Sequence, residues 1–400
     1  GSLFAVLVTL GLVGTMPRAT ALETTWQRRV GEAANAVAVA PDGSVYVAAQ
    51  RRVSISVGAV LRKYTPGGSL VWSRTWVPTP STASTRGEVV AVAENGTIVW
   101  GGELHGSCEG GGWFLEWRAP GGRLLHRYKT PDWRCGRAER IMDISARDGQ
   151  VVVAGYSHGC CGDPFDDGWI RAFGMDGRPT WETDIEPPAG TPSAWFDTAT
   201  GVAVGGLGSI YVSGWAATER ITFDPGKGTP ILVKLTSGGG LLWSRRAPVK
   251  LFQFVTPIAV AARGDQIVVS AGAGGQFIGW GSGSAPSGWL GSFDAGGSLH
   301  WSVRWDDGHR QGAQPADVAI DASGTTWVIG RRRDLSDRGY DAFVRRYGPG
   351  GGVRGVLRFD GPREMAGTGV AIGPGGAYAT GLIGTASYDA HGGRVWRLAA

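Results

Sequence analysis

The side chains of this 400-residue chain that could do chemistry gather in a few short stretches. Its four cysteines are Cys108, Cys135, Cys160 and Cys161, and His105 and His158 lie close to them in sequence. Thiolates and imidazoles are zinc ligands, but structural zinc sites use separated Cys-x-x-Cys pairs, and that spacing is missing. The expectation is disulfide chemistry, Cys108–Cys135 with either a vicinal Cys160–Cys161 bridge or no second bridge. Asp163, Asp166 and Asp167 do not follow the ligand spacing of a calcium loop, so no metal site is assigned. Glu88 and Asp317 could act as paired carboxylates if the fold brings them within about 5 to 9 Å of each other. Trp195, Phe196, Trp215, Phe252, Phe254 and Trp280, with Phe223 and Phe277, could form a platform for a sugar ring or an apolar peptide. The alternative is that these aromatics bury one another. Arg331-Arg332-Arg333 could hold an anionic glycan or phosphate, or be neutralised by Asp334, Asp337 and Asp341. No Gly-x-Ser-x-Gly elbow, His-Glu-x-x-His helix or phosphate loop is present. No catalytic residue is assigned, and no cofactor is expected.

Composition narrows what can position these groups. The chain has 68 glycines and 18 tryptophans, is 42% hydrophobic and only 18% charged. Enough apolar side chains are present to form a core, which excludes disorder. The glycines follow no three-residue period, which excludes collagen. Abundant Gly and Val with little Glu and Lys argue against a helical protein. A net charge of +5 is mild for this length and does not call for nucleic acid. Leu3 to Val13 is an apolar run too short for a membrane span, which takes about 20 residues. Ala19-Thr20-Ala21 follows as a small-x-small cleavage pattern. Residues 1–21 therefore read as a secretory signal, and 22–400 as one exported domain, secreted or periplasmic, with no membrane span.

Those 379 residues are repetitive. The segment Val37-Ala38-Val39-Ala40-Pro41-Asp42-Gly43-Ser44-Val45-Tyr46-Val47 returns about every fifty to sixty residues, with Tyr46 matched by Val99, Val152, Tyr211, Val268, Trp327 and Tyr378. Three residues earlier stand Gly43, Gly96, Gly149, Gly208, Asp265, Gly324 and Gly375, a turn slot that asks for positive φ. A second hairpin follows each time, ending its first strand at Tyr64, Trp117, Phe173, Leu235, Phe293, Tyr347 and Tyr388. A glycine-rich turn comes next, then Trp72, Trp181, Trp243, Trp301 or Trp396. His126 stands at that slot in the second copy and Gly355 in the sixth. Two hairpins per copy with period-two apolar alternation give four strands, a to d.

Seven such units predict an all-β fold, a seven-bladed β-propeller of four-stranded antiparallel blades. The blades fall at about 36–76, 88–128, 140–184, 200–246, 257–305, 316–359 and 367–398. Closure has two solutions, because Thr25–Val30 resembles a d strand while Arg394–Leu398 also fills the last d slot. The a–b and c–d turns are short. The b–c and d–a loops are long, lie on the opposite face, and carry the cysteines and the aromatic set, so the binding surface is expected there. Asn35, Glu88, Thr200, Asp317 and Thr368 precede the inner strands at the channel mouth, where they could meet a ligand or hold water.

The unit resembles the bacterial seven-bladed β-propeller repeat family, with its Val-Ala-Val-x-x-x-Gly-x-Val-Tyr-Val-x-Gly pattern. Its Gly-x-x-x-Trp turn is similar to the tryptophan-docking blades of quinoproteins. The first resemblance implies binding or scaffolding; with no catalytic constellation in the sequence and long loops on one face, the expectation is a non-enzymatic monomer that binds a protein or glycan there. The second implies a dehydrogenase with Cys160-Cys161 against a quinone. A lyase or glycosidase using loop carboxylates is the third possibility.

Overall fold

The computed structural model describes residues 22–31, 33–53, 56–77, 84–105, 111–130, 137–159, 166–185, 197–217, 228–249, 255–273, 287–305, 313–333, 339–359, 364–384 and 392–399. They form seven antiparallel sheets, one per blade. Blade 1 is Ala33–Val39, Val45–Val53, Ser56–Tyr64 and Leu70–Trp76. Blade 2 is Ser84–Thr85 with Val89–Val92, then Ile98–His105, Gly111–Arg118 and Leu124–Lys129. Blade 3 is Arg137–Arg147, Gln150–Gly159, Asp166–Gly174 and Pro179–Asp184. Blade 4 is Asp197–Val204, Ile210–Ala217, Gly228–Leu235 and Leu241–Arg246. Blade 5 is Val255–Arg263, Gln266–Ala273, Ser287–Phe293 and Leu299–Trp305. Blade 6 is Ala313–Ile320, Thr326–Arg333, Tyr340–Tyr347 and Val353–Phe359.

Blade 7 settles the question of closure. Its strands a to c are Met365–Gly373, Gly376–Ile383 and Gly392–Leu398, and its outer strand is Thr24–Arg29 from the other end of the chain. The C-terminal strand is thus strand c, and Trp396 is a buried core residue at 2% exposure rather than a d-strand residue. Trp26 takes the d-strand place. Pairing the two ends gives the last sheet four strands like the others and hydrogen-bonds one end of the chain to the other. The turn slot also shifts in two blades. Gly264 (φ +57°) and Gly376 (φ +119°) hold the left-handed conformation, beside the anticipated Asp265 and Gly375. Where Asp would be strained, a neighbouring glycine carries the turn.

Period-two alternation sends the two faces of each blade into two different interfaces, and the core is accordingly seven separate clusters, one between each pair of neighbouring blades. Each cluster receives one β-branched residue from the same inner-strand position: Val37, Val90, Ile144, Val202, Val260, Val318 and Val370. Burial of such a side chain is worth about 1.5–3 kcal/mol.

The outer rim is locked by an aromatic on the d strand of every blade but the sixth. Trp26 donates its indole N–H to Pro66 O (3.0 Å), Trp72 to Pro120 O (3.2 Å), Trp181 to Ser237 O (3.0 Å) and Trp301 to Pro349 O of the next blade's c–d turn. The ring lies flat on that turn's glycine. A Cβ on Gly68 would come 2.8 Å from Trp26, and one on Gly239 would come 2.6 Å from Trp181. These glycines also hold φ near +85° (84° at Gly68, 85° at Gly239), so both the conformation and the contact exclude a side chain. Trp243 packs the same way on Gly297, and His126 on Gly177.

Candidate functional site

Every blade has an irregularity near the start of its inner strand. Register slips at Ala34/Ala36, Ile141/Asp143, Ala199/Gly201, Thr256/Ala259, Pro315/Asp317 and Gly367/Gly369, and blade 2 breaks its inner strand between Thr85 and Val89. Such bulges re-aim side chains and disturb the ladder locally. Asn35, Glu88, Thr200 and Thr368, all named from sequence, share one slot beside these irregularities, and Asp317, also named from sequence, stands one residue further along, all near the start of the inner strands.

A cavity of about 530 Å³ opens at this level, at the loop-face end of the channel. Its wall comes from all seven inner strands, and its polar groups are Glu88, Asp143, Thr200, Gln314, Asp317, Thr368 and Arg331. Small residues such as Ala36, Ala259, Gly367 and Gly369 leave the space open.

Several of these groups are held by the next blade. Thr368 donates to Ala34 O (2.7 Å), and Asn35 donates to Gly87 O (2.8 Å). Asp143 accepts the N–H of Ile144 and, across the blade junction, that of Val202 (2.8 Å each). Asp317 does the same with Val318 (2.7 Å) and Val370 (2.8 Å). The inner edge of a blade has backbone N–H groups with no further strand to pair, and these carboxyls satisfy them. Burial pushes Asp143 up to about 7, with N–H bonds opposing and the charge of Asp317 adding. Burial likewise pushes Asp317 up to about 7 against its two N–H bonds.

Glu88 differs from both. No described residue hydrogen-bonds its carboxyl. Burial pushes it up to about 8; Glu103 adds to this, while Arg86 and Arg140 oppose it. Glu103 stands on the neighbouring strand, where its carbonyl pairs with Arg86 N (3.2 Å), and its carboxylate lies 2.9 Å from His105 Nε2 and 3.7 Å from Arg140 Nε. Burial alone would raise Glu103, but the close contact with His105 and the positive charges of Arg140 and Arg86 outweigh it and hold it below the usual range. Across the cavity Arg331 donates to Gln314 Oε1 (2.9 Å) and stacks over Tyr340. The basic run is therefore divided: Arg331 turns to the channel, while Arg332 faces Asp341 at 4.0 Å.

The other sequence candidates fall elsewhere. Trp215 is buried at 8% exposure in the cluster between blades 4 and 5, with Tyr211, Leu232 and Trp289. It follows the alternation of its strand into the core and leaves the platform set. Trp195, Phe196, Phe252, Phe254 and Trp280 lie outside the described residues, as do Cys108, Cys135, Cys160 and Cys161. Among the described residues no cluster of His, Cys, Asp or Glu has the geometry of a metal site. Sequence reasoning missed Asp143, Glu103 and the inward turn of Arg331. The Asp143 signal was available, because aligning Ala36, Val89, Asp143, Gly201, Ala259, Asp317 and Gly369 puts the two aspartates in one slot. Glu103 had no such signal, since it is placed only by pairing with a broken strand.

Fold and site together define a seven-bladed β-propeller with a polar cavity at one end of its channel. No family model matches the sequence, and no curated protein matches it. Solved structures do resemble it. One is the polysaccharide lyase Uly1, 10% identical with a TM-score of 0.52, covering 96% of this chain and 93% of that one. Another is a chain of the mitotic checkpoint complex, 12% identical with a TM-score of 0.50, covering 98% and 99%. A third is the β-propeller domain of the Trilobed protease from Pyrococcus furiosus, 9% identical with a TM-score of 0.47 over 89% and 92%. At these identities the likeness is one of fold. Among the described residues no helix is long and apolar enough to cross a membrane.

Proposed function

We propose that this chain is an exported, non-enzymatic, monomeric propeller that binds a glycan or protein ligand on its loop face, and that its central contact is a sugar residue seated in the channel mouth. The observation that supports this is the 530 Å³ cavity, lined by all seven blades, five of which contribute hydroxyl, amide, carboxyl or guanidinium groups. A concave site with a few convergent polar groups suits a small polyhydroxylated ligand better than a flat protein surface. Carboxyls displaced toward neutral pH can both donate and accept hydrogen bonds, as sugar hydroxyls require. The experiment is a glycan array followed by calorimetry on the hits. Binding that is lost when Thr200→Trp fills the mouth supports the reading. Binding that survives a filled mouth moves the site to the loops.

A second reading, lyase or glycosidase chemistry, is favoured by Glu88 and Glu103. Neighbouring carboxyls whose environments push them apart are the usual basis of an acid–base division of labour. Glu88, rather than the Glu88–Asp317 pair expected from sequence, would be the acid. Release of new reducing or unsaturated sugar ends from a bound polysaccharide, lost in Glu88→Gln, would establish it. The dehydrogenase reading rests on the Gly-x-x-x-Trp turns, whose tryptophans pack on the next blade, and on Cys160 and Cys161, which lie outside the described residues.

A further inference from the structure

Three carboxyls, Glu88, Asp143 and Asp317, surround one cavity, and the only cationic side chain among its described lining residues is Arg331. Arg331 is engaged on its own side of the channel, by Gln314 and Tyr340, with Glu364 nearby. Asp143 and Asp317 each spend both oxygens on backbone N–H groups. Glu88 alone lines the cavity with a carboxyl that no described residue bonds. The charges facing Glu88 are Glu103, Arg86 and Arg140, and those facing Glu103 include His105. Asp143 and Asp317 face one another across the axis.

We propose that the channel mouth takes a ligand bearing a primary ammonium group, held by Glu88 and faced by Asp143 and Asp317, and that this ligand is an amino sugar with a free amine. The sugar half of the inference rests on the glycan reading above, and the ammonium half stands on the cavity wall alone. An ammonium supplies three donors and a countercharge directly at the Glu88 carboxyl, whose raised pKa Arg86 and Arg140 offset only in part. A buried carboxyl that stays protonated for want of a countercharge ionises when one arrives, so binding a protonated amine releases a proton from the site. A neutral amine reaches the same ion pair by taking that proton directly from Glu88. Among the described residues the acids do not form a metal-ligating cluster, and the volume exceeds what a single ion fills, which favours an organic cation.

The experiment is isothermal titration calorimetry of the whole chain with three probes: a free-amine glucosamine hexamer, its fully N-acetylated counterpart, and spermidine. The hexamer is expected to bind near pH 7 and at least about tenfold more weakly at pH 5, because the proton that binding releases from the site is harder to release at lower pH. The acetylated hexamer should bind at least about tenfold more weakly, because it has no ammonium. Glu88→Gln should weaken the hexamer at least about tenfold at an unchanged melting temperature, since no protein hydrogen bond is removed. Glu88→Asp, which keeps the charge, should retain part of the affinity. Equal binding of both hexamers overturns the ammonium inference and leaves the glycan reading standing. Spermidine binding as tightly as the free-amine hexamer, in a Glu88-dependent way, supports the ammonium and overturns the sugar. No binding of any probe overturns both. Binding that Glu88→Gln does not touch places the cation elsewhere.

Discussion

The outer rim and the channel mouth solve the same problem, joining each blade to the next, by different means. At the rim one device is repeated: an aromatic of one blade lies on a positive-φ glycine of the next. At the mouth the junctions vary, with Thr368 at one, Asn35 at another, and a shared aspartate arrangement, Asp143 and Asp317, at two more. Repetition at the rim is what packing alone produces. Variation at the mouth, combined with an open cavity and an unbonded carboxyl, is what a ligand site requires. The junction between blades 6 and 7 shows the division most clearly. Blade 6 has Gly355 where others have an aromatic, and blade 7 has no c–d turn to receive one, because the two chain ends meet there. Asp317 joins these two blades from the inside instead.

Removing residues 22–30 is the largest perturbation of the rim. It deletes the fourth strand of blade 7 and leaves Gly392–Leu398 as an open edge, and the expected loss is about 4 kcal/mol or more. A melting curve checks it, and an unchanged midpoint would mean that closure contributes little. Gly239→Ala comes next, at about 2–3 kcal/mol, because its Cβ meets the Trp181 ring in a conformation that alanine avoids. The Trp181→Ala background should absorb part of that loss, and full additivity would show that the ring is not the cause.

At the mouth, Asp317→Asn removes one acceptor from two backbone N–H groups and should cost about 1–3 kcal/mol. Asp143→Asn should cost less, because its junction also has Trp181 at the rim and a bond from Val204 N to Ser145 Oγ (3.1 Å). Chemical denaturation of the two variants side by side decides the order. Both aspartates are raised to about 7 by burial, from 3.8 for the free side chain. The native state therefore holds more protons than the unfolded state between about pH 4 and 7, so their contribution to stability falls as pH rises through that window. The double Asn variant should flatten this part of the stability profile. A profile unchanged by the double variant would show that the acids titrate normally. The smallest effects sharpen the rim comparison. His126→Trp should gain about 0.5–1 kcal/mol by stacking on Gly177, whereas Gly355→Trp should change stability by no more than about 0.5 kcal/mol, having no turn to meet.

Much of this architecture was legible before the structure. The recurrence of Tyr46-like anchors and turn glycines fixes blade number, strand order and the distinction between the faces, because each repeat must present the same small and large residues to its neighbours. The identity of strand d in blade 7 was not legible. Thr25–Val30 and Arg394–Leu398 carry equally good strand patterns, and only pairing distinguishes them. For the same reason Trp396 was placed one strand too far out. Of the site, Glu88 and Asp317 could be named from their positions before the inner strands. Glu103 could not, since its nearness to Glu88 follows from a break in the blade 2 ladder that no periodicity announces. Trp215 shows the converse limit: whether an aromatic at a strand end is exposed or buried stays open until its partner blade is known.

The most direct test of the ligand site is a crystal structure of the chain with the free-amine glucosamine hexamer. The account predicts one sugar in the channel mouth, its amine within hydrogen-bonding distance of the Glu88 carboxyl and its hydroxyls among Thr200, Gln314 and Thr368. Sugar bound on the rim or the outer strands, with the mouth holding only water, would contradict it.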